Sequence, residues 1–125
     1  MARRRHLALA LAFTGLLSLG GVQPVQAGVA VKAVKSATAA YGYAFKPAKV
    51  SVGTGTTVTW KAVAGKHTVT ATSRNWGKDD GFSTTRSTSF TFKKAGTYTY
   101  RCIYHSIYNP TTKKCTGMCG KVVVG

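Results

Sequence analysis

From Val50 to Val124 the chain is a succession of short runs in which Val, Trp, Tyr and Phe alternate with Thr, Ser or Lys, each closed by a turn signal. The runs are Val50-Ser51-Val52, Thr56 to Trp60, Thr68-Val69-Thr70, Ser89 to Phe92, Tyr98-Thr99-Tyr100 and Val122 to Val124. Gly53-Thr54-Gly55, Ala64-Gly65-Lys66, Trp76 to Gly81 and Lys93 to Gly96 separate them. β-Branched and aromatic residues at period two suit a pleated, half-buried strand, and no apolar period of 3.6 residues persists anywhere in this stretch. About six to eight short strands with frequent turns predict an all-β fold, a single antiparallel sandwich. Trp60, Phe90, Phe92, Tyr98 and Tyr100 stand at strand spacing and are assigned to the core, whereas Trp76, among polar loop residues, receives no assignment.

The N-terminus is of another kind. Arg3, Arg4 and Arg5 precede an apolar run from Leu7 to Leu19, and small residues follow up to Val25-Gln26-Ala27. A charged start, a short apolar middle and a small residue at the end read as a secretory signal peptide. The run is too short for a bilayer, which needs about 20 apolar residues. The expected organisation is a signal peptide over residues 1–27 and one domain over residues 28–125, exported to the periplasm, the cell envelope or the medium, with no transmembrane segment in the mature chain.

Charge narrows the function. Of 125 residues, 18 are Lys or Arg and two are Asp or Glu. The two acids, Asp79 and Asp80, are adjacent, so no pair of carboxylates can flank a substrate from different elements, and carboxylate-pair hydrolysis is excluded. Without residues 1–27 and their three arginines, 98 residues carry 15 basic and two acidic side chains, a formal +13. Such a surface attracts polyanions. The twelve lysines are scattered singly or in pairs, however, with no arginine-rich block and no nucleic-acid module, so specific nucleic-acid binding is not expected. Acidic proteins and anionic cell-envelope polymers remain as partners.

The chemistry gathers near the C-terminus. Cys102-Ile103-Tyr104-His105 follows the Tyr98 strand directly, Met118 precedes the final strand, and His67 heads another strand upstream. His67 and His105 are the only histidines of the 28–125 domain, and Met118 is its only methionine. Two imidazoles, a thiolate and a thioether form a set suited to one copper ion: the sulfur ligands are soft enough for Cu(I), and imidazole serves both oxidation states. Two rivals use the same residues. Cys102, His105, Cys115 and Cys119 have the types for a zinc site, but that leaves His67 and Met118 without a role and asks three thiols to stay reduced outside the cell. Alternatively Cys102 packs as a small apolar residue in a metal-free binding module. Enzymatic readings fare worse: no histidines remain for an oxygen-reducing copper cluster, and nothing suggests the oxyanion hole that Cys-His catalysis requires.

Taken in order, Phe45-Lys46-Pro47, Gly55 to Trp60, His67-Thr68-Val69, Gly96 to Cys102, Cys102-x2-His105 and Gly117 to Val124 resemble the cupredoxins, the small blue copper proteins of the plastocyanin, amicyanin and pseudoazurin type. The resemblance spans about Tyr43 to Val124. It implies a Greek-key β-sandwich and a one-electron carrier cycling between Cu(I) and Cu(II), with copper delivery or storage as the alternative. It also implies His67, Cys102 and His105 in the metal plane, Met118 axial, and Thr68 hydrogen-bonded near the Cys102 sulfur. Relatives place a short loop between the second histidine and the methionine, whereas Ser106 to Gly117 makes twelve residues here. A secreted chain with three cysteines leaves one unpaired. If Cys115 and Cys119 bridge, the odd one is Cys102, and the chain must curl around Gly117 to close the bridge. The resemblance further implies docking of redox proteins beside His105. Tyr104, Ile107 and Tyr108 are expected as the less polar centre, Lys113 and Lys114 as cations favouring an acidic partner, and Lys32 and Lys35 as remote from the site. A monomer is expected.

Overall fold

Which side chains alternate inward decides how the strands meet, and in the computed structural model, which describes residues 28–125, those strands form two facing sheets. The expected signal peptide, residues 1–27, lies outside the described residues. The strands are β1 (Val29–Lys35), β2 (Tyr43–Lys46), β3 (Lys49–Val52), β4 (Thr56–Ala62), β5 (His67–Ala71), β6 (Asp79–Phe82), β7 (Thr88–Phe92), β8 (Gly96–Asn109) and β9 (Lys114–Val124). One sheet has the order β2-β1-β4-β7, the other β3-β9-β8-β5-β6. The pairings β1–β4 and β3–β9 are parallel, so the sandwich is mixed, not purely antiparallel.

Period two fills the space between the sheets. Val58 and Trp60 on β4, Tyr98, Tyr100 and Cys102 on β8, and Met118, Val122 and Val124 on β9 all point inward and are buried. Tyr100 crosses the core edge-on to Trp60 and Phe45, with ring centroids 5.4 and 4.8 Å away. Its register partner on β9 is Gly120, and the phenol occupies the volume where a side chain at 120 would stand. All six runs read as strands are strands, and the core aromatics are placed as expected, with Phe90 partly buried against them.

Three elements depart from the sequence reading. The segment Val29–Lys35, unassigned in the sequence reading, pairs as a strand, because its alternation buries Val31 and Ala33 and turns Lys32 outward. Within the stretch read as the turn Trp76 to Gly81, Asp79–Phe82 forms an edge strand on β5, and Trp76 drops into the core. There its ring lies 5.3 Å from those of Phe90 and Phe92, and its indole N–H donates to the Thr99 carbonyl at 3.1 Å. The polar neighbours of Trp76 hid an aromatic that has a buried hydrogen-bond acceptor waiting for it. Finally, the enlarged loop after His105 is mostly strand: β8 and β9 continue as a hairpin, pairing Ser106 with Gly117 through to Asn109 with Lys114. The Asn109 side-chain oxygen accepts the Thr111 and Thr112 N–H groups and shapes the tip.

The Tyr100–Gly120 contact yields a test. Gly120→Ala forces a methyl against a buried ring, an overpacking that should lower the melting temperature by roughly 5–15 °C, followed by circular dichroism. A drop below about 2 °C would show that the ring swings clear at little cost.

Candidate metal centre

The donors converge because three backbone devices aim them at one point. His67 opens β5 just after the turn Ala64-Gly65-Lys66, where Gly65 has φ 83°. That turn brings the Ala64 carbonyl to 2.6 Å from His67 Nε2. A carbonyl only accepts, so Nε2 carries the proton and Nδ1 keeps its lone pair. A side chain at position 65 would press within 3.1 Å of Nε2 and of the Tyr43 phenol.

The second device is the irregularity in β8. Arg101 pairs with Cys119 and Ser106 with Gly117, so Cys102 through His105 together face the single residue Met118. This excursion places Cys102 Sγ 3.4 Å from His105 Nδ1 and 3.9 Å from His67 Nδ1. The ligand atoms of His67, Cys102 and His105 all lie within 4.8 Å of one another. Met118, fully buried, occupies the position across from them. Gly117, at φ 99°, makes this bend possible, because a Cβ there would meet the His105 carbonyl and the Tyr41 ring at 2.6 Å.

Thr68 is the third device. Its N–H donates to Cys102 Sγ at 3.4 Å, and its hydroxyl oxygen accepts the Ile103 N–H at 3.0 Å. One residue of β5 thus touches the sulfur and also holds the backbone beside it. Tyr43 and Phe82, which the sequence reading passed over, complete the walls. The Tyr43 ring lies 4.8 Å from that of His67 and 4.4 Å from that of His105, and the Phe82 ring 5.5 Å from that of His67. Tyr43 shares the inward parity of Phe45, and that spacing was the available signal. Lys35 is in register with Tyr43, so it stands at the metal end and not remote from it.

Electrostatics favours neutral imidazoles. Burial lowers the pKa of His67, opposed in part by the Ala64 hydrogen bond. Burial also lowers that of His105, and the neighbouring His67 lowers it further. The free Nδ1 of His67, a second imidazole that burial favours as neutral, and one unpaired, buried cysteine make a donor set that fits copper. The zinc alternative loses two of its ligands, because Cys115 and Cys119 form a disulfide with Cα atoms 6.3 Å apart across the bend at Gly117.

Around the donors the surface is apolar. The exposed large hydrophobic side chains of the described residues are Tyr41, Val63, Ile103, Tyr104 and Ile107. All belong to segments that carry or abut the donors. Tyr108 instead turns back onto the sheet, its hydroxyl 3.4 Å from the Thr72 carbonyl and its ring 6.0 Å from the Arg101 guanidinium carbon. Lys113 and Lys114 sit at the hairpin tip, past Asn109.

No family model and no curated protein sequence matches the chain. Solved structures do. A reduced amicyanin variant is 29% identical over 78% of this chain and 82% of its own, with a TM-score of 0.56. Another amicyanin variant, in its reduced Cu(I) form, is 27% identical over 85% of this chain and 88% of its own, with a TM-score of 0.57. Pseudoazurin from Hyphomicrobium denitrificans shares the fold at 22% identity, with a TM-score of 0.60 over 79% of this chain and 76% of its own. Together with the His67, Cys102 and His105 group, these likenesses make the chain a cupredoxin-like β-sandwich.

Two outcomes follow. Titrating thiols in denatured, unreduced, metal-free protein should find one, which peptide mapping places at Cys102; three would mean the bridge does not form. Acid should destabilise the metal-free fold through the histidines. Their folded pKa values are lowered, so the unfolded chain binds more protons between the folded value and the unfolded value of about 6.5. Stability is full above that pH and is lost as pH falls through the folded values. Melting temperatures across pH 7 to 4 should decline for the wild type, and more shallowly for His67→Phe.

Proposed function

We propose that the protein is an exported mononuclear copper protein that passes single electrons between redox partners. Under this reading residues 1–27 direct export and residues 28–125 form the working domain. His67 Nδ1, His105 Nδ1 and Cys102 Sγ would hold the metal, with Met118 as a weak fourth donor. Bound copper supplies reversible one-electron exchange between Cu(I) and Cu(II).

The observation that carries the reading is the convergence of the His67, Cys102 and His105 ligand atoms within 4.8 Å of one another. Ala64 fixes the His67 tautomer, burial keeps both imidazoles neutral, and the Thr68 N–H offers the thiolate a hydrogen bond. A group so held has little room to rearrange when charge changes, and small rearrangement is what fast electron transfer needs. The exposed side chains Tyr104 and Ile107, 63% and 60% accessible, with Ile103 and Val63, give a partner an apolar contact beside His105. Formal charge favours an acidic partner, and Lys113 and Lys114 contribute from the hairpin tip. No helix among the described residues is long and apolar enough to cross a membrane. Attachment to an anionic envelope polymer would use the same excess charge.

Copper-loaded protein should bind one ion and show an intense visible thiolate-to-Cu(II) band that Cys102→Ser abolishes; a band that survives would place the thiolate elsewhere. Met118→Leu should keep the band and raise the potential, because losing a weak donor disfavours Cu(II) more than Cu(I). An unchanged potential would remove Met118 from the ligand set. Electron transfer to an acidic redox protein should slow steeply as salt shortens the Debye length from about 30 Å at 0.01 M to about 10 Å at 0.1 M. Stopped-flow rates indifferent to salt would show that docking is apolar.

A further inference from the structure

On the outer face of the five-stranded sheet, away from the donors, the hairpin extension and the loop after β5 enclose a cleft of about 870 Å³. None of His67, Cys102 and His105 lines it. Its charged lining consists of Lys49, Arg74, Lys113 and Lys121, with no acid among them.

The register explains why this is unusual. Lys49 on β3 pairs with Lys121 on β9, which pairs in turn with Thr99 on β8. The Thr72 hydroxyl donates to the Thr99 hydroxyl at 2.7 Å and continues the row. Lys49 and Lys121 are both exposed on adjacent strands, about 5 Å apart at the backbone. Like charges in such a position repel. Neither of the chain's two acids relieves them: Asp80 is bound by Lys78 at 3.0 Å and Thr88 at 2.7 Å, and Asp79 lies on β6, the opposite edge of the sheet from β3. Between the cations the lining is largely apolar, with Tyr108, Pro110 and the Cys115–Cys119 bridge as a wall built by the hairpin insertion.

We propose that this cleft binds a short acidic segment of a partner polypeptide, at a site separate from the metal face. The row from Lys49 to Thr72 runs over β3, β9 and β8 to the residue that follows β5, about 15 Å, the reach of four to five extended residues. Carboxylates meet the four cations, and apolar side chains between them meet Tyr108, Pro110 and the disulfide. A phosphate or sugar polymer would use the cations and leave that apolar wall without a counterpart. The proposal concerns a surface of the fold and stands whether or not copper is the cofactor.

The test is fluorescence anisotropy of a labelled pentapeptide alternating glutamate and leucine, titrated with the protein as isolated. Lys49→Glu with Lys121→Glu should weaken binding about tenfold, whereas the same charge change at Lys93 and Lys94 should weaken it less than about threefold. Amide shifts in NMR spectra should map to Thr72, Thr99, Tyr108 and Lys121. Equal losses in the two variants would overturn the proposal, because net charge alone would then account for binding. So would shifts centred on Tyr104 and Ile107, or a pentaglutamate or polyphosphate probe that binds as tightly as the alternating peptide. Circular dichroism of both double variants, expected to match the wild type, separates lost binding from lost folding.

Discussion

The pairing of β8 with β9 is the constraint on which the rest depends. Below Arg101 and Cys119 the two strands run in regular register and carry the core row Tyr98, Tyr100, Val122 and Val124. Beyond Ser106 and Gly117 they run in register again as a hairpin. Between these regular stretches Cys102 to His105 bow out against Met118 alone. Because hydrogen-bonded pairing resumes on both sides, the bow has fixed ends, and its residues cannot slide without breaking a ladder. The site inherits its geometry from two ordinary stretches of sheet.

His67, Cys102 and His105 are each then held by a group outside the donor set. Ala64 holds the ring of His67, Thr68 holds the sulfur and the Ile103 backbone, and Tyr43 lies against both imidazoles. Supports of this kind orient ligands and tune their basicity. The outer surface divides similarly. Apolar side chains crowd the end where His105 approaches solvent, whereas Lys49, Lys113 and Lys121 border a cleft on the sheet's outer face. One strand extension serves both regions, because Ile107 faces the first and Tyr108 turns toward the second.

Much of this was legible from residue type and spacing. The period-two rows located six strands and the core aromatics, and the scarcity of His and Met left few donors to choose among. What stayed hidden depended on pairing between distant segments. In Val29–Lys35 two alanines and two lysines dilute three valines, and pairing on both sides, with β2 and β4, makes it a strand. Trp76 reads as a loop residue because its partners Phe90, Phe92 and Thr99 are far away in sequence. The twelve residues after His105 contain Asn109-Pro110 and threonines that suggest a loop, yet cross-strand register makes most of them strand. The spacing of Tyr43 from Phe45 marks it as inward-facing, but its contact with both histidines depends on segments far apart in sequence.

The central claim is that the fold, and not the metal, sets the arrangement of His67, Cys102 and His105. X-ray absorption at the copper edge, recorded on the loaded protein in both oxidation states, addresses it most directly. A preset site predicts one short sulfur shell and two nitrogen neighbours that persist with the same coordination number after reduction. Loss of the sulfur shell, or a nitrogen or oxygen neighbour gained or shed when the oxidation state changes, would contradict the account.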